Sequence, residues 1–177
     1  MLVFRQAVAI DQKNLKMIEV DRCSRRRGLF RLSAETVLPA PIDEVFAFFS
    51  KAENLEAITP PWLHFQIVTP TPISMKAGAL IDYRLRLRGL PIRWRTEISD
   101  WEPPFRFVDR QLRGPHKSWE HTHEFEETAT GTTMRDKVEY SVFGGAVVER
   151  LFVRSDLKKI FTYRNEQINI RLGGGNI

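Results

Sequence analysis

Two histidines, His121 and His123, stand one residue apart in the stretch SWEHTHEFEETATGTTMRDKVEY (118–140), which also contains Asp136. Side chains alternate faces along a strand, so a strand here directs both imidazoles to one side. Taking TATG (128–131) as a hairpin loop sets Phe125 opposite Met134, His123 opposite Asp136, His121 opposite Val138 and Trp119 opposite Tyr140. The apolar residues of both strands then fall together, which supports the register. The other face pairs Glu124 with Arg135 and Thr122 with Lys137, which is favourable, and Glu120 with Glu139, which is not.

Such a cluster admits three chemistries. His-x-His with a carboxylate is a partial metal-ligand set. A histidine paired with a carboxylate in an apolar cavity can move protons at a bound carbonyl, as a cyclase or dehydratase requires. The same pair can orient the polar end of a passively held ligand, or close a buried network, His123 with Asp136 and His121 with Asp109. A four-ligand metal site is short of donors: the single cysteine is Cys23, and His64 and His116 fall at a strand start and in a turn. The sequence therefore predicts no metal and no cofactor. No serine or cysteine nucleophile motif, glycine-rich phosphate loop or dinucleotide fingerprint is present, and no catalytic residue is assigned.

These side chains need a scaffold. LFRLSAETVL reads as a strand, PAPIDEVFAFFS as a helix with Pro41 in its first turn followed by Asp43 and Glu44, and KAENLEAITPP as a second short helix stopped by Pro60 and Pro61. HFQIVTP, LIDYRLRLRG, IRWRTEISDW, FRFVDRQLRG, SWEHTHEFEE and TTMRDKVEYSVF follow as strands with short turns, an antiparallel meander. The long segment VVERLFVRSDLKKIFTYRNEQINI places Leu157, Ile160, Phe161, Arg164 and Ile168 at helical spacing on one side, and GGG (173–175) ends it. The expected fold is α+β, with about seven strands and a long C-terminal helix that needs the sheet to cover its apolar face.

Turning the chain at RGLP sets Leu87 opposite Ile92, Leu85 opposite Trp94, Tyr83 opposite Thr96 and Ile81 opposite Ile98; turning it at EPP sets Phe107 beside Ile98, Asp109 beside Thr96 and Gln111 beside Trp94. The inward set then holds many polar groups, expensive in a dry core unless each finds a partner or water. A cavity between sheet and helix resolves this. Its expected lining is Tyr83, Trp94, Phe107, Trp119 and Phe125 as apolar wall, with Asp109, Gln111, His121, His123, Asp136 and Tyr140 reading a ligand's polar end. Gly144 and Gly145, before the long helix, can let its start move.

At 177 residues, with 42% hydrophobic and 11% aromatic residues, the chain is long enough for one globular core. Residues 1–27, whose end lies in DRCSRRRG (21–28), read as an extension, partly ordered at most, before a domain at 28–177; Met17 is an alternative start to Met1. The lone cysteine and the lack of a continuous apolar leader or a membrane-length apolar run suggest a cytoplasmic protein. The net charge is +5. In the registers above Arg84, Arg95 and Arg110 form a row on the outer face, with Arg86 opposite Arg93 and Arg88, Arg106 and Arg113 nearby. That row suits peripheral contact with an anionic membrane, beside simple solvation. No exposed aromatic row accompanies it, so nucleic acid is not an expected partner.

APIDEVFAFFSKAENLEAITP, GLPIRWRTEI, FVDRQLRGPHKSWEHTHEF and GTTMRDKVEYSVFGG, in that order before the terminal helix, resemble the START-like (SRPBCC) superfamily of helix-grip ligand-binding proteins, in a bacterial branch close to the polyketide cyclases. The resemblance spans about residues 29–168. It implies a strongly curved antiparallel sheet gripping the C-terminal helix, with two short helices after the first strand and a hydrophobic ligand in the tunnel between. Lipid, quinone, sterol and polyketide-like molecules are the implied ligand classes, and a cyclase or dehydratase remains the alternative. The chain departs from the branch pattern after Tyr140, where Ser141-Val142-Phe143-Gly144-Gly145 replaces a proline context.

Overall fold

The structure, a computed structural model, describes residues 18–23 and 28–173. Met1, Met17, Gly174 and Gly175 lie outside the described residues. Eight antiparallel strands form one sheet: β1 (Glu19–Arg22), β2 (Phe30–Leu38), β3 (Gln66–Ile67), β4 (Leu80–Leu87), β5 (Leu90–Glu102), β6 (Arg106–Arg113), β7 (Ser118–Thr128) and β8 (Gly131–Ser141). Their order is β1-β2-β8-β7-β6-β5-β4-β3. About seven strands were expected; the additional one is β1, inside the segment read as an extension. It pairs Val20 with Leu32, and only Val20 of its four residues is buried, too little alternation for a pattern to reveal.

Between β2 and β3 lie α1 (Ile42–Phe49), α2 (Asn54–Ala57) and a 3-10 turn, Pro61–Leu63. Asp43 and Glu44 in the first turn of α1 suit the positive end of its dipole. Its Ile42, Val45, Phe46 and Phe49 are buried. After β8 come α3 (Gly145–Val148), a π turn (Glu149–Val153) and α4 (Arg154–Leu172). The buried side chains of α4 are Leu157, Phe161, Asn165, Ile168 and Leu172, a stripe at helical spacing.

That stripe meets the sheet at two places. Ile168 and Leu172 join Leu38, Phe46, Phe49, Phe125 and Met134, whereas Leu157 and Phe161 join Phe30, Leu32, Trp119 and Tyr140. A third apolar cluster, Ile81, Tyr83 and Ile98 on β4 and β5, includes no residue of α4. The helix is thus seated over β2, β8 and β7, leaving space toward β4–β6. No helix among the described residues is long and apolar enough to cross a membrane.

The β7–β8 register is the expected one throughout, from Trp119 opposite Tyr140 to Phe125 opposite Met134. Two other registers differ. β4 and β5 turn through Arg88 and Gly89 alone, both at left-handed φ (52° and 82°), as a two-residue hairpin prefers. Tyr83 therefore faces Trp94, and Leu85 faces Ile92. Between β5 and β6 the pairs are Trp101 with Phe107, Ile98 with Asp109 and Thr96 with Gln111, with an irregularity between Ile98 and Asp100. The β4–β5 shift is even, as is the β5–β6 shift at Asp109 and Gln111, so these side chains keep their faces while changing neighbours; Phe107 moves by three positions, from Ile98 to Trp101, the odd residue being absorbed at the irregularity.

The same shifts dissolve the arginine row. Arg84 faces Arg93, while Arg95 forms a two-pronged ion pair with Asp82 (2.8 Å at each nitrogen) and Arg110 pairs with Glu97 at 2.7 Å. Two of the three arginines are locally neutralised.

Candidate functional site

The space between α4 and the far half of the sheet is a cavity of about 310 Å³. Tyr83, Ile98, Trp94, Phe107 and Trp119 line it from the strands, Leu157, Ile160 and Phe161 from α4, and Phe48, Phe49, Leu55 and Ile58 from the α1–α2 region. The wall is mostly apolar, as small-molecule sites are, and the volume lies at the lower end of their range.

Asp109, His121 and His123 break that wall. They rest on the fourth member of a compact cluster, Asp136, which is 3% exposed. Direct cross-strand pairing suggests His123 with Asp136 and His121 with Asp109, but the best hydrogen bonds run diagonally. His121 Nε2 and Asp136 Oδ1 are 2.7 Å apart, and His123 Nε2 and Asp109 Oδ2 are 3.2 Å apart. The direct contacts are His123 Nδ1 to Asp136 Oδ1, 3.0 Å but off the N–H direction, and His121 Nδ1 to Asp109 Oδ2 at 3.5 Å. His121 lies 5.6 Å from the Phe161 ring, and His123 stacks on Phe107 at 4.1 Å, so the cluster faces the helix side of the sheet.

Burial pulls both imidazoles down, yet they diverge. His121, penalised also by the charge of His123, stays below its ordinary value; His123, bonded to Asp109 and close to the Asp136 carboxylate, is held above it. Burial pushes both carboxyls up, but the histidines outweigh it and keep Asp109 and Asp136 below the usual carboxylate range, with Arg164 assisting at Asp109. Within one cluster, therefore, one imidazole is pulled down and its neighbour is held up. Asp109, His121 and His123 also keep ligand atoms within 4.8 Å of one another, close enough for a shared cation.

Seven of the eleven residues expected at the site line the cavity: Tyr83, Trp94, Phe107, Asp109, Trp119, His121 and His123. The other four point inward but have different surroundings. The Gln111 carboxamide donates to His116 O at 2.8 Å and braces the GPHK turn. Phe125 packs 5.5 Å from Phe46 and from Phe49 in the core beneath α1. Asp136 lies behind the histidines. Tyr140 donates its hydroxyl to Glu149 Oε1 at 3.1 Å, and Arg154 reaches the same carboxylate at 3.0 and 3.2 Å, pinning the π turn to β8.

His116 and Arg164 were missed as site residues, and both line the cavity. His116 stands 4.7 Å from the Trp119 ring and 5.5 Å from the Trp94 ring, and burial pushes its imidazole down to about 4. Arg164 places its guanidinium 5.8 Å over Phe161, with Nε lacking a hydrogen-bond partner. An arginine within the apolar stripe of the final helix was the available signal. At the cavity edge, Arg88 from the β4–β5 hairpin tip clasps Asp156 of α4 through bonds of 2.8 and 3.0 Å.

The family model for polyketide cyclase / dehydrase and lipid transport matches residues 38–159, the greater part of the chain. The chain belongs to this family. The polyketide cyclase / dehydrase and lipid transport family and the helix-grip architecture together support a hydrophobic ligand-binding role. Among solved structures, protein Ms6760 from Mycobacterium smegmatis superposes with a TM-score of 0.65 at 15% identity, covering 92% of this chain and 99% of that one. Protein CV1439 from Chromobacterium violaceum gives 0.64 at 12% identity, covering 82% and 97%. The major latex-like protein 151 of Panax ginseng gives 0.62 at 12% identity, covering 82% and 98%. At these identities the likeness is one of fold, and the fold is the expected helix grip. No curated protein matches the sequence.

Proposed function

We propose that this member of the family carries one small hydrophobic molecule bearing a polar group: a lipid, quinone, sterol or polyketide-like compound near the small end of those classes. The observation that carries the reading is the mostly apolar cavity of about 310 Å³ with Asp109, His121, His123 and Arg164 on its wall. Apolar walls supply transfer free energy, and a few fixed charges choose the orientation. Native mass spectrometry of protein isolated without added ligand tests this. One small molecule per chain, released by organic solvent, is expected. An empty protein that also takes up nothing from a mixture of fatty acids, quinones and sterols would sink the carrier reading.

A second reading, acid/base turnover of the bound molecule, is favoured by two imidazoles on the cavity wall with ring centres 3.8 Å apart, each bonded to a carboxylate and shifted in opposite directions, since proton relay at a carbonyl needs an acid beside a base. Incubating protein with a linear aromatic polyketide separates the two. Unchanged recovery supports carriage; a cyclised or dehydrated product replaces it with catalysis.

We place peripheral contact with an anionic membrane at the α3–π segment rather than on the outer arginines. Phe143, Val147, Leu151 and Phe152 are exposed there, next to the exposed Arg150, and Phe143 also lines the cavity. Co-sedimentation with phosphatidylglycerol vesicles should weaken in Leu151→Glu. Equal sedimentation of both proteins contradicts this placement.

A further inference from the structure

We infer that Asp109, His121 and His123 form a site for one divalent transition-metal ion, of the zinc or ferrous kind, opening onto the cavity. His121 Nδ1 and His123 Nε2 lie 3.5 and 3.2 Å from the same oxygen, Asp109 Oδ2. Tetrahedral ligands held about 2.0–2.1 Å from an ion are spaced about 3.3–3.4 Å apart. Those two edges match a coordinated set more closely than the direct bond in the same cluster, His121 Nε2 to Asp136 Oδ1 at 2.7 Å.

The remaining ring nitrogens are directed away. His121 Nε2 and His123 Nδ1 both approach Asp136 Oδ1, at 2.7 and 3.0 Å. For His121 this carboxylate is the hydrogen-bonded outer partner that metal-binding histidines use to fix tautomer and ring orientation, whereas at His123 it lies close but off the N–H direction. His121, His123 and Asp136 are 3%, 2% and 3% exposed, so the arrangement is stiff and dry. Two carboxylates supply the charge for a divalent ion. Arg164, facing Asp109 from α4, is the cation that competes for that carboxylate.

Too few donors for a closed four-ligand site is what the sequence predicts, and that remains so. Three ligands with a vacant position are instead the pattern of sites that accept an exogenous oxygen. All three line the cavity, so the vacant position suits a carboxylate, phenolate or enolate oxygen of a bound molecule. Metal uptake is independent of the carrier reading and is measured without any organic ligand.

The test uses full-length, untagged protein stripped with chelator and titrated with Co²⁺, read by its visible bands, then with Zn²⁺ in competition. One equivalent is expected to bind, with binding lost in Asp109→Asn and in His123→Gln. Asp136→Asn should weaken it by roughly 10–100-fold, and Arg164→Gln should tighten it. Far-UV circular dichroism establishes that each variant is folded; Asp109→Asn, facing the cavity, is the decisive one if the buried variants are not. Absence of stoichiometric uptake by the parent protein overturns the inference. So does uptake that Asp109→Asn and His123→Gln, both folded, leave unchanged.

Discussion

Asp136 receives His121 at 2.7 Å and lies 3.0 Å from His123, in a setting where all three side chains are nearly inaccessible. Removing one partner of such a network leaves uncompensated buried groups, which costs about 3–5 kcal/mol. Urea unfolding of Asp136→Ala should show a loss of that order, and a loss below about 1 kcal/mol would contradict the tight packing of the cluster. His116 makes the opposite kind of contribution. Its folded value of about 4 lies below the ordinary 6.5, so between these limits the unfolded chain binds the additional proton. Stability therefore falls as pH drops from about 6.5 towards 4, by up to about 3 kcal/mol. Urea midpoints should follow that slope, and His116→Asn should flatten it; an unchanged slope would assign the acid sensitivity elsewhere. Strand parity made His121, His123 and Asp136 legible as one cluster before any coordinates. Gln111 and Tyr140 were legible only as inward-facing, because their partners, the His116 backbone and Glu149, come from a turn and a π turn that strand alternation does not describe.

At the scale of elements, the order of strands and helices followed from alternation and from Pro and Gly punctuation, whereas two strand registers did not. The cause is local. RGLP permits several loop lengths of the same parity, and only the backbone shows that Arg88 and Gly89 alone make the turn. That choice places Arg88 where it reaches Asp156 and the Phe152 ring, 5.0 Å from its guanidinium, joining hairpin tip to helix across the cavity edge. Gly144, at φ 83°, has a matching constraint at the start of α3: an added Cβ would fall 2.3 Å from Val148 Cγ2. The clasp is exposed, so its expected effect is kinetic rather than on stability. Arg88→Ala should speed release of N-phenyl-1-naphthylamine in stopped-flow fluorescence several-fold with little change in melting temperature. An unchanged release rate would show that ligands leave by another route.

The whole molecule is a sheet seated on α4 along β2, β8 and β7 and separated from it toward β4–β6. Leu157 and Phe161 make one seat, Ile168 and Leu172 the other, and the cavity follows from the chain's inability to fill the remaining side. If this space receives a hydrophobic molecule, it must also receive an apolar fluorescent probe and lose it when filled. N-phenyl-1-naphthylamine is titrated into the parent protein and into Ile160→Trp, whose indole would occupy the lined space, with circular dichroism to establish that both are folded. Saturable binding of one probe per chain, quenching Trp94 or Trp119 emission and lost in Ile160→Trp, is the predicted result. Absence of saturable binding in the parent, or binding that a folded Ile160→Trp leaves undiminished, would contradict the claim.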